Sequence, residues 1–159
     1  MASDTDYDSD GMRGNGDGGL SEGNGRRRRK HPLMTWRNNL RALVVDNART
    51  CRIMESGLLD AYGVEVEAVG TGEAAVELIA SGETFDLIVL EMFLPFMSGP
   101  ETARMIREMG ISCKILGIAP MYCEKDAQEF LAAGIDEFLE KPFTPELFIP
   151  FLMEIDNQK

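Results

Sequence analysis

Between Leu40 and Ile155 the chain alternates short apolar runs with helical periodicity five times, and no connection is long enough for anything but a tight crossover. Parallel strands can be joined only by such crossovers, and these are right-handed. The alternation therefore confines the chain to a parallel sheet with helices on both faces. Ala42-Leu-Val-Val-Asp46 is a continuous apolar run ending in an acid, as suits a strand buried on both faces. Phe85-Asp-Leu-Ile-Val-Leu90 has the same texture and runs straight into Glu91.

The other elements follow from local signals. Cys51, Met54, Leu58 and Ala61 recur at helical spacing over residues 48–61, closed by Gly63. Val64–Val69 alternates, which predicts an edge strand with one wetter face. Thr71 is placed to cap a helix through Ala80 with Ala75, Leu78 and Ile79 inward. Pro100 and Gly110 bracket a third helix, and Cys113–Ile118 predicts a fourth strand. A helix over Glu124–Ala133 stops at Gly134, and Glu137–Glu140 gives a fifth strand. Thr144-Pro145-Glu146 opens a last helix with Leu147, Phe148, Phe151, Leu152 and Ile155 apolar. Five such units predict an α/β, flavodoxin-like doubly wound (βα)5 three-layer sandwich of strand order 2-1-3-4-5. Its switch point lies between strands 1 and 3, whose ends carry Asp46 and Glu91.

Composition narrows the function classes. Residues 1–38 are rich in Gly, Asp, Ser and Asn and read as a disordered tail, leaving residues 39–159 as the folded domain. That tail holds seven Lys/Arg and six Asp/Glu, so most of the net charge of −11 sits on the folded part. An acidic domain is ill suited to displacing counterions from phosphate backbones, so nucleic-acid binding by the folded part is not expected. The run Arg26-Arg-Arg-Arg-Lys30 reads either as a nuclear-import signal or as a solvated charge run. No run of eighteen apolar residues and no secretory h-region is present, so an intracellular protein of the cytoplasm or nucleus is expected, without membrane attachment. Cys51, Cys113 and Cys123 lack CxxC spacing and read as reduced, partly buried thiols. With the one His31 in the tail, a zinc site is not expected.

The segment "FDLIVL-acid-M-x-LP-x-M-x-G" at residues 85–99 resembles the phosphoacceptor segment of two-component response-regulator receiver domains. Residues 41–156 are similar to that family throughout. The runs Gly82–Leu90 and Arg107–Ile111 look most like short stand-alone plant response regulators, with no DNA-binding domain after the fifth helix. The resemblance implies a magnesium-binding acid pair after strand 1, here Asp46-Asn47, and an Asp phosphoacceptor after strand 3, here Glu91. It implies a Thr or Ser after strand 4, here Ala119, and a Lys-Pro pair after strand 5, matched by Lys141-Pro142. It also implies a switch aromatic shortly before that Lys, a position filled by Phe138.

The departures weaken or remove a Mg2+ site at Asp46, displace the carboxylate at Glu91 by up to about 1.5 Å, and delete a hydroxyl at Ala119. In-line phosphoryl transfer depends on positioning and charge stabilisation. The expectation is a non-enzymatic pseudo-receiver in His-to-Asp phosphorelay, in cytokinin response by family likeness, independent of phosphorylation at Glu91. Its partners would be histidine-phosphotransfer proteins or other signalling proteins. Two alternatives use the same fold. A metal-dependent phosphohydrolase would want an Asp nucleophile and a second acid two residues on, but Met92 and Phe93 follow Glu91. A flavin-binding module would want a Ser/Thr/Gly-rich cradle, but Asp46-Asn-Ala-Arg stands there.

Overall fold

The computed structural model describes residues 31–159, so the basic run 26–30 lies outside the described residues. Strand β1 (Arg41–Val45) leads to helix α1 (Arg49–Ala61), β2 (Glu65–Val69) to α2 (Gly72–Ala80), and β3 (Leu87–Glu91) to α3 (Gly99–Glu108). Then come β4 (Lys114–Ala119), α4 (Glu124–Ala132), β5 (Glu137–Glu140) and α5 (Pro145–Gln158). All four strand pairings are parallel, and the order is β2-β1-β3-β4-β5 as expected. The inner strands are buried along both faces, whereas β2 at the edge is only partly so.

Two apolar layers flank the sheet. Leu43, Ile88, Ile115, Ala103, Ile106 and Phe130 fill one side; Val44, Val89, Leu116, Leu59, Phe148 and Leu152 fill the other. Burying a side chain of this size stabilises the fold by roughly 1.5–3 kcal/mol each relative to exposure. Helix starts are specified locally. The Thr71 hydroxyl accepts from Ala74 N at 3.1 Å. Ser98 and Glu101 form a reciprocal capping box at α3, a signal the sequence carries as Ser-x-x-Glu. Thr144 stands at the N-cap of α5 but makes no side-chain cap bond.

Three differences from the sequence expectations have physical causes. The third strand begins at Leu87 rather than Phe85 because Asp86 is occupied at its entry. Its amide donates to Arg41 O and its carboxylate accepts from Arg41 N, both at 2.8 Å. In α1 the buried positions are Glu55 and Leu59, while Met54 is exposed, so the inward stripe is rotated from the one that Met54 and Leu58 suggested. A carboxylate on that stripe disguised it. Cys123 is exposed rather than partly buried.

The folded unit also begins before residue 39. Leu33 N donates to Ala61 O at 2.7 Å, and the Trp36 indole donates to Tyr62 O at 2.7 Å. The Asp156 carboxylate near the end of α5 accepts from the amides of Arg37 (3.0 Å) and Asn38 (2.9 Å) and from the Asn38 side chain (2.9 Å). The bond from the Arg37 amide, followed by those from Asn38, holds the Asp156 carboxyl below the usual aspartate range against the opposing effect of burial. A lowered carboxyl contributes stability above its unfolded value, and the contribution is lost as pH falls through the folded one. Asp156→Ala is expected to speed amide hydrogen exchange at residues 33–38 near neutral pH. Acidification below the ordinary aspartate range is expected to lower the protection of the same amides, measured against their intrinsic exchange rates, in the native chain.

Candidate functional site

Register brings the acids together. Val45 of β1 pairs with Leu90 of β3, so the next residues, Asp46 and Glu91, emerge at one level of the sheet. Both side chains are almost fully buried, at 2% and 4% exposure. Lys141 enters from beyond β5, its amide donating to Ala119 O at 2.8 Å. The Lys141-Pro142 peptide bond is cis. Lys141 Nζ then reaches both acids, donating to Asp46 Oδ2 at 2.9 Å and forming an ion pair with Glu91 Oε2 at 2.7 Å. The Glu91 contact is close, but its angle is too poor for a hydrogen bond at that oxygen.

The remaining expected residues take clear places. Asp46 Oδ1 accepts from Ala48 N at 3.0 Å, fixing the carboxylate. The Asn47 amide donates to Gly70 O at 3.3 Å, a bond that a carboxylate could not make. Ala119 ends β4 fully buried and offers the site no hydroxyl. Phe138 is buried and packs edge-on against Tyr122 (5.6 Å between centroids) and Phe130 (6.0 Å). Below the site, Gly99 lets the loop after β3 fold tightly against the strand. A Cβ there would overlap Glu91 O and come within 2.8 Å of the Phe130 ring and 2.9 Å of Met92 Cα.

Two residues of the site were not read from the sequence. Arg52 staples the loop after β1, its guanidinium donating to Asp46 O (2.8 Å) and Asn47 O (2.9 Å). Glu55 is fully buried, and neither carboxyl oxygen meets a donor. It lies beside Asp46, with ligand atoms of Asp46, Cys51 and Glu55 all within 4.8 Å of one another. The available signal was positional: Cys51, Glu55 and Leu59 are successive residues of one helix face.

A family model described as the response regulator receiver domain matches residues 42–151. The chain belongs to that family. It is 34% identical over 119 residues to Two-component response regulator 24 of Arabidopsis thaliana, covering 75% of this chain and 86% of that one. It is 38% identical over 105 residues to Two-component response regulator ORR42 of Oryza sativa subsp. japonica, covering 65% and 78%. Among solved structures, the Vibrio cholerae chemotaxis protein CheY4 superposes with a TM-score of 0.67 at 29% identity, covering 74% of this chain and 99% of that one. The protein is a response regulator of two-component phosphorelay signalling.

Electrostatics distinguish this receiver's site. Burial would lower the Lys141 ammonium, but Glu91 and Asp46 outweigh it and hold the group above the usual lysine range. Burial pushes Glu91 above the usual carboxylate range, opposed by Lys141. Burial, reinforced by the charge of Asp46, raises Glu55 to about 8. Glu55 is therefore held in its protonated, uncharged form at neutral pH. Receiver domains typically bind Mg2+ at their acidic site, but the residues present here fit that ion poorly. Magnesium wants an octahedron of oxygens with one or two carboxylates. One oxygen of Asp46 and one of Glu91 are engaged by a single ammonium, and Asn47 is neutral.

Removing Lys141 leaves two buried carboxylates without their cation. Lys141→Met is expected to cost about 3–5 kcal/mol in urea unfolding. For Glu55, the folded form keeps a proton that the unfolded form releases between about pH 4.5 and 8. Its contribution is therefore fully present below 4.5 and is lost as pH rises through 8. Glu55→Gln, melted in metal-free buffer, is expected to gain stability relative to the native chain by about 1–3 kcal/mol between pH 6 and 9.

Proposed function

We propose that this response regulator binds its partners without being switched by phosphate at Glu91. The observation that carries the reading is the buried bridge from Lys141 to both Asp46 and Glu91. In a receiver whose acceptor is Asp, the lysine and a hydroxyl would serve a phosphoryl group. Here the lysine is neutralised by the acids already present, and Ala119 has no hydroxyl to donate. Glu91 places a carboxylate further out than Asp would, with less charge than a phosphate. With Ala119 unable to transmit that charge, the reading is a receiver uncoupled from phosphorylation rather than one held permanently on. Magnesium is held weakly, through Asp46. The role belongs to a binding protein and not an enzyme.

Partner contact is supported by the surface around the site. Ile53 and Met54 on α1, Phe93 and Phe96 after β3, and Met121 and Tyr122 after β4 are all exposed apolar side chains. They stand on elements that meet the carboxyl ends of the strands. Phe96 is 97% exposed and holds φ at 67°, a conformation that costs an aromatic residue energy. Such a ring suits a helical signalling partner, a histidine-phosphotransfer protein in the first instance, in cytokinin response. The phosphohydrolase and flavin readings gain nothing from the geometry. A cavity of about 460 Å3 lies at the opposite end of the sheet, lined by Phe85, Asp86 and Lys114 among others.

The test is phosphotransfer from acetyl phosphate and from a phosphorylated histidine carrier, with magnesium, to the native chain, Glu91→Asp, and the triple variant Asn47→Asp/Glu91→Asp/Ala119→Thr. The native chain is expected to take no stable acid-labile label, and the triple variant to be labelled at least tenfold more than Glu91→Asp. Stoichiometric label on the native chain overturns the reading. A magnesium titration is expected to show binding at least tenfold tighter in the triple variant.

A further inference from the structure

We propose that Asp46, Cys51 and Glu55 form a binding site for a thiophilic divalent cation of the zinc class. Cys51 and Glu55 lie one turn apart on the inward face of α1, and Asp46 meets them from the end of β1. Their ligand atoms are within 4.8 Å of one another. Ligand atoms around a tetrahedral zinc lie about 3.3–3.8 Å apart, so small side-chain movements close the set. The cluster shares Asp46 with the Lys141 bridge and adds Cys51 and Glu55 in place of Glu91.

The independent sign of a ligand is Glu55. A fully buried carboxyl with both oxygens lacking a donor is rare in proteins. Asp46 and Cys51 beside it offer electron-pair donors, and the Lys141 ammonium next to Asp46 engages Asp46 Oδ2 and Glu91. Three donors converging on one point, two of them buried, complement a cation. The thiol decides which cation, because sulfur favours zinc and its relatives over magnesium or calcium. Three protein ligands leave a fourth position open, and partly buried Cys51 provides the way in.

The surrounding bonds suit the role. Asp46 Oδ1 is held by Ala48 N and Oδ2 by Lys141, which orient the carboxylate while leaving lone pairs free. The spacing of Asp46, Cys51 and Glu55 matches no Cys/His zinc pattern, and the sequence alone gives no reason to expect a site here. Folding creates the cluster.

The experiment is a titration of the full reduced chain with cobalt(II), followed by displacement with zinc. The expected result is one equivalent bound with a thiolate-to-cobalt charge-transfer band that zinc abolishes. Cys51→Ser is expected to lose the band, and Glu55→Gln to weaken zinc binding at least tenfold in chelator competition. Cys113→Ser and Cys123→Ser are expected to keep both band and affinity. Circular dichroism establishes that each variant is folded, and Cys51→Ala serves if Cys51→Ser is not. Cobalt binding without a thiolate band, a band surviving in a folded Cys51 variant, or undiminished zinc affinity in Glu55→Gln overturns the site. So does the absence of binding at micromolar metal.

Discussion

The ammonium group of Lys141 holds two carboxylates that the parallel register has already delivered to the same level. Without it two buried carboxylates would lack their cation, and taking an ion out of water costs several kcal/mol. The bridge therefore ties the ends of β1, β3 and β5 into one unit. Three connections meet there: the loop after β1 stapled by Arg52, the loop after β3 closed by Gly99, and the cis peptide after Lys141. In this chain Glu91 and Asp46 already occupy the lysine. A signalling fold with an internal counterion has less to gain from an external one.

Much of this was legible in the sequence. Continuous apolar runs ending in acids gave the central strands, because a strand buried on both faces has no reason to alternate. Alternation at Val64–Val69 gave the edge, and β2 is the edge. Asp46, Glu91, Ala119 and Lys141 were all found as strand-end residues, and the structure brings them into one site. Their roles in phosphate chemistry rest on the family and not on the coordinates.

The rest was hidden for particular reasons. Glu55 was invisible because a charged residue on a helix is ordinarily read as solvated, and only the packing of α1 against the sheet turns it inward. Arg52 gave no sign at all, since its bonds go to backbone carbonyls that sequence patterns do not mark. The docking of residues 33–38 depends on Asp156, more than a hundred residues away, and local composition could not anticipate it.

That docking has a topological result. Residues 33–38 are fastened to the carboxyl end of α1 and to the last turns of α5, just before the chain enters β1 at Arg41. Those points lie at the pole of the sheet where the strands begin, while the Lys141 bridge lies where they finish. The five residues of β1 separate the two poles by roughly 16 Å. Any cargo, modification or fusion carried on the amino-terminal side of this anchor is thus rooted away from the acid site and from the apolar ring around it. Tethering and recognition are spatially divided, so the protein can be held by one end while the other stays open.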